Sequence, residues 1–131
     1  MAEKEYLKLT FHHVGIPLCK DNPLPAESHN PELKMKASGY FETPYAMEWM
    51  EFDDKNELPE IIKTQPHIAY VVDDLDKAIK GRQLVLAPSS PAAGVRVAFV
   101  LEGRDLIEFL QFDRPEQEVW PHPHKFLLEC L

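Results

Sequence analysis

Cysteine and glycine are scarce in this chain, and basic clusters and long apolar runs are missing. The two cysteines, Cys19 and Cys130, lie near opposite ends of the 131 residues, which argues against a disulfide-stapled scaffold and for a reducing compartment. Five glycines stand against twelve prolines. A proline removes a backbone donor and clashes inside a helix, so short strands and loops are expected in place of long helices. No stretch approaches the roughly 18 apolar residues of a spanning helix, and no membrane association is expected. The opening Met-Ala-Glu-Lys-Glu-Tyr puts acids where a secretory leader carries bases, so the expected location is cytoplasmic. Lysine and arginine number 14 against 22 acids, a formal net charge of -8. That balance repels a phosphate backbone, and nucleic acid is excluded as a partner.

What is present is ordinary globular material, 44% hydrophobic and 27% charged, enough for a single domain over residues 1–131. The fold class expected is α+β, rich in strand. LKLTFHHVGI at 7–16 reads as a strand closed by Pro17. The region 17–31, with four prolines, reads as loop. Strand-like LKMKASGYF and YAMEWMEF at 45–52 follow, then a DDKNELP connector. PHIAYVV at 66–72 reads as a strand, and Asp73 or Asp74 is placed to cap a helix through LDKAIKG. QLVLA, VRVAFVL and LIEFLQF then form strands separated by PSSPAAG and EGRD. Residues of about 5–58 and 62–114 make two modules, and 115–131 form a proline-broken tail apolar enough to pack on the domain or on a partner subunit.

The two modules repeat each other. His13-Val14-Gly15-Ile16 matches His67-Ile68-Ala69-Tyr70 in kind at every position, and Ala46-Met47-Glu48-Trp49-Met50-Glu51-Phe52 matches Leu106-Ile107-Glu108-Phe109-Leu110-Gln111-Phe112. Alternate strand residues share a face. Glu48 therefore sits in a row with Ala46, Met50 and Phe52, and Glu108 in a row with Leu106, Leu110 and Phe112. A carboxylate in an apolar row is costly unless something neutralises it. Two positions beyond each histidine stands Gly15 or Ala69, leaving room beside the imidazole. A single such His or Glu is ordinarily a core group paired with backbone or a basic side chain. Four in register offer nitrogen and oxygen ligands for a divalent ion such as zinc, nickel, manganese or iron.

At FHHVGIP (11–17), PHIAYVVDDLDKAI (66–79) and RVAFVLEGRDLIEFLQF (96–112) the chain resembles the vicinal oxygen chelate superfamily, which includes glyoxalase I, methylmalonyl-CoA epimerase, extradiol dioxygenases and bleomycin-resistance proteins. The resemblance covers almost the whole chain. It implies two βαβββ modules paired into a cup-shaped mixed sheet, and the chain departs from that pattern where the proline-rich 17–31 stretch replaces the first module's helix, leaving it reduced. It implies that His13, Glu48, His67 and Glu108 correspond to the family's metal positions. The activity implied is proton transfer next to a metal-chelated oxygen of a small molecule, as an isomerase, epimerase or lyase, with Glu48 or Glu108 as the base. The alternatives are a non-catalytic binding protein of the resistance type and an extradiol-type dioxygenase. A homodimer is expected to cover the face left by the missing helix.

Within the HH pair a strand points neighbours in opposite directions, and His13 is preferred to His12 because it aligns with His67. His122 and His124 are expected in an exposed tail, Arg96 in a surface ion pair, and Cys19 as a buried inert thiol. Asp53-Asp54 and Asp73-Asp74 are expected to be turn and helix-cap residues, not calcium ligands.

Overall fold

The computed structural model describes residues 4–18, 23–122 and 127–131. It is a mixed α+β fold: one curled eight-stranded sheet with a few short helices. The strands are β1 (Thr10–Pro17), β2 (His29–Asn30), β3 (Met35–Ala37), β4 (Met47–Phe52), β5 (His67–Val71), β6 (Gln83–Ala92), β7 (Val95–Glu102) and β8 (Asp105–Phe112). The helices are α1 (Glu60–Thr64), α2 (Leu75–Ile79) and α3 (Glu116–Val119), with a 3-10 turn at Ala26–Ser28. The sheet order is β2-β3-β4-β1-β5-β8-β7-β6. At its centre β1 and β5 run antiparallel. Moving outward, each meets a parallel neighbour, β4 or β8, and then two antiparallel strands.

Several expectations change. The first strand starts at Thr10 rather than residue 7, and only Met35–Ala37 of LKMKASGYF joins the sheet, while His29–Asn30, inside the expected loop, pairs with it. β6 does not stop before PSSPAAG but continues through Pro88 and Pro91 to Ala92. It can do so because it is an edge strand whose register shifts repeatedly against β7, so a missing N–H costs no ladder bond. Helices α1 and α3 go beyond the one expected. Each follows a proline, Pro59 or Pro115, whose missing N–H costs nothing at a helix start, where the first N–H groups have no partner within the helix. The expected helix is α2, where the Asp74 side chain accepts a hydrogen bond from Lys77 N at 3.1 Å.

Helix α2 covers the outer side of β7 and β8, packing Leu75 and Ala78 with Val72, Ala98, Val100 and Phe109. On the inner side Ala69, Val95, Val97 and Leu110 pack with Phe112, Val119 and Trp120, so the tail as far as His122 folds back onto its own domain. The outer side of β4, β1 and β5 leaves Phe11, Trp49 and Ile68 exposed. No helix among the described residues is long and apolar enough to cross a membrane.

Candidate metal centre

Strand register brings the four predicted residues together. Gly15 pairs with Glu48 on β4 and with His67 on β5, so Glu48, Gly15 and His67 form one row across the sheet. His13 pairs with Ala69, which pairs with Glu108, giving a second row two residues along. Paired residues share a face, and all four side chains therefore project from the inner one. With strands about 4.8 Å apart, the two ends of each row are about 10 Å apart at Cα, a gap that two long side chains leaning inward can close. The middle of each row must then be small. Ala69 is fully buried there, and a Cβ on Gly15 would overlap the imidazole of His67 at Cε1 and Nε2.

The side chains do lean inward. His13 Nε2 lies 3.0 Å from Glu48 Oε2 and 3.3 Å from Glu108 Oε1, and His67 Nε2 lies 3.2 Å from the same Glu108 oxygen. His13, His67 and Glu108 are buried and bring one ligand atom each within 4.8 Å of one another. These contacts are close but badly aimed. Neither ring nitrogen of His67 nor Nε2 of His13 has a hydrogen-bond partner among the described residues. Buried imidazole nitrogens without a bond are costly, and nitrogens that converge on shared carboxylate oxygens fit a cation between them. The donor set, two imidazoles with one or two carboxylates, suits zinc or a ferrous-type ion. The trio is thus of a kind that can hold a metal ion, with Glu48 beside it.

Electrostatics follow the same geometry. Burial pushes the His13 imidazole down, but the carboxylates of Glu108 and Glu48 outweigh it and raise its pKa to about 10. Burial pushes Glu108 up, yet His13 and His67 hold it down at about 2. Tyr40, whose ring stacks on His13 at 5.7 Å, has a phenol raised far above its ordinary value by burial and by Glu116 and Glu48.

A cavity of about 910 Å³ opens over the four residues, walled by apolar side chains such as Phe41, Phe52, Leu86, Phe99 and Trp120. Lys34 is its one lysine or arginine among the described residues.

Two expectations about histidine are corrected. His12 and His13 do not point apart: β1 has a bulge between Phe11 and His13, so that His12 is an extra residue opposite no partner. Both rings are buried, with their Nδ1 atoms 2.7 Å apart. His122 is not exposed. It is buried, its Nδ1 meets Trp120 O at 2.7 Å, and its Nε2 lies 3.6 Å from Glu116. Glu116 itself was not anticipated, since nothing around it repeats in the first module. Cys19 and His124 lie outside the described residues. Arg96 makes its surface pair with Asp76 at 3.4 Å, Asp53 joins His29 at 2.8 Å, and neither belongs to the centre. Comparison of the chain with protein-family models, curated proteins and solved structures gives no match.

Proposed function

We propose that the protein is a metal-dependent enzyme of the vicinal oxygen chelate type that moves a proton beside a chelating oxygen of a neutral small molecule, as an isomerase, epimerase or lyase. The observation that carries this reading is the convergence of buried, badly paired His13 and His67 nitrogens on Glu108, with Glu48 alongside. The sheet order, with matching flanks on either side of β1 and β5, supports two βαβββ modules with the helix of the first reduced. When bound, a divalent ion supplies Lewis acidity to a neighbouring oxygen and makes the adjacent C–H acidic.

The two glutamates divide the remaining work. Glu108 touches both imidazoles and its side chain is 11% exposed, so it is the fixed ligand. Of the two ligand imidazoles Glu48 meets His13, and its side chain is 24% exposed and lines the cavity. It is the carboxylate free to take a proton from carbon and return it. The walls are largely apolar, and with Lys34 as the one lysine or arginine among their described residues they favour an uncharged substrate over a phosphate or carboxylate.

A second reading has its own observation. His13, His67 and Glu108 alone make a two-histidine, one-carboxylate set, the arrangement of ferrous dioxygenases. Glu48→Gln separates the two: it abolishes proton transfer but leaves a three-ligand iron site intact. A resistance-type protein would bind its ligand without turnover. The decisive experiment is elemental analysis of the purified wild type beside His67→Ala and Glu108→Gln. Metal near one equivalent in the wild type and its loss from both variants is expected, and retention by both would refute the assignment. The exposed Phe11, Trp49 and Ile68 further support a homodimer through the outer face.

A further inference from the structure

We propose that Glu116, carried by the C-terminal segment, is a positioning residue that fixes the tautomer of His13 through His12, so that Nε2 of His13 is the nitrogen free to ligate. The inference rests on the metal reading above, and deepens it. The chain of contacts runs from the tail to the centre without a break. His12 is fully buried. Its Nε2 lies 2.6 Å from Glu116 Oε1, and its Nδ1 lies 2.7 Å from Nδ1 of His13.

Donor and acceptor arithmetic then sets every proton. An ionised carboxylate only accepts, so the hydrogen of neutral His12 sits on Nε2 and is donated to Glu116. His12 Nδ1 is left with a lone pair, so His13 Nδ1–H must donate to it. Once His13 is neutral, as it must be to ligate, its lone pair therefore falls on Nε2, the atom facing Glu48 and Glu108. Were His12 to hold its hydrogen on Nδ1, the same contact would force the hydrogen of His13 onto Nε2 and block ligation. Partners that orient a ligating imidazole in this way are part of a metal site's affinity.

The tail is built to hold Glu116 in place. Pro115 precedes it at the start of α3, and Oε2 of Glu116 lies 3.6 Å from His122 Nε2. His122 is tied to Gln117 in both directions, its N donating to Gln117 Oε1 at 2.9 Å and its O accepting from Gln117 Nε2 at 2.6 Å. Trp120 packs its ring near His12 and against Phe112. The bulge at His12 is the matching feature on the sheet side, since it alone brings the extra imidazole into line between tail and ligand.

The test uses the full chain loaded with zinc. Zinc affinity by competition with a chelating dye is expected to fall 10–100-fold in Glu116→Gln, because an amide can accept or donate and no longer dictates which nitrogen of His12 carries hydrogen. Long-range proton–nitrogen NMR of the zinc-bound wild type is expected to show hydrogen on His12 Nε2 and His13 Nδ1, and the metal-free variant is expected to divide its hydrogen between the two His12 nitrogens. A purely structural Glu116 would change thermal stability without moving those signals. Wild-type zinc affinity in folded Glu116→Gln, or hydrogen on His12 Nδ1 in the wild type, overturns the proposal. The wild-type spectrum can overturn it even if the variant does not fold. A wild type that binds no zinc is a different failure, that of the metal reading itself.

Discussion

Replacing Gly15 by alanine tests the geometry of the centre most directly. The new Cβ would overlap His67 at Cε1 and Nε2, and ordinary carbon contacts need about 3.5–4.0 Å, so the ring must shift by on the order of 1 Å. Metal–ligand distances tolerate only about 0.2 Å, and His67 would leave the ligand set. Losing an orienting partner alone costs 10–100-fold in affinity; losing a ligand should cost at least about 100-fold, or about 2.7 kcal/mol. The fold itself should survive. Overpacking costs about 1–3 kcal/mol, and alanine returns about 0.5–1 kcal/mol relative to glycine within a strand. Gly103→Ala is the control: nothing lies within 4 Å of its added Cβ, and its φ of 61° should cost about 1–2 kcal/mol of stability with no change in metal affinity. Zinc competition titrations with near-ultraviolet circular dichroism would read both variants. Zinc affinity in Gly15→Ala within threefold of wild type would refute the reasoning.

Further outcomes follow from the same geometry. His13 is raised to about 10 in the metal-free protein, so binding a divalent ion at pH 7 should release about one proton and gain about tenfold in affinity per pH unit up to about 9; calorimetry in two buffers of different ionisation enthalpy measures this. Because that pKa lies above the ordinary 6.5, the stabilisation it reports is complete below about 6.5 and lost as pH rises toward 10. Glu108, held at about 2 against 4.5, contributes above about 4.5 and loses its contribution as pH falls toward 2. The metal-free protein should therefore melt highest between these windows, and a melting temperature that climbs from pH 7 to 10 would contradict the signs. Ile68→Asp on the exposed outer face should convert the proposed dimer to monomer in sedimentation velocity, and a wild type already monomeric at about 0.1 mM protein would dismiss the dimer. Leu75→Ala, at a fully buried position on α2, should cost about 2–5 kcal/mol in denaturant unfolding while leaving metal content alone.

Much of the centre was legible because strands make simple rows. The internal repeat aligned His13 with His67 and Glu48 with Glu108, and period two placed each glutamate among apolar neighbours, which is where the structure has them. Gly15 and Ala69 could be read as space beside the imidazoles for the same reason. The histidine pair was misread because strict alternation assumes an unbroken ladder, and the bulge at His12 breaks it. Nor does any local signal mark Glu116, whose partner is 104 residues away. The continuation of β6 through two prolines depended on its lying at a sheet edge, a fact of strand order alone.

The sequence by itself determined the strand-rich class, the repeated His-to-Glu pattern and the side of each strand on which the chemistry falls, because all three follow from residue type and a period of two. Tertiary structure alone decided which strands are neighbours, that two imidazoles share one carboxylate oxygen, and that the tail reaches His12. Register between distant strands is chosen by packing across the whole sheet, and no stretch of chain carries that information locally.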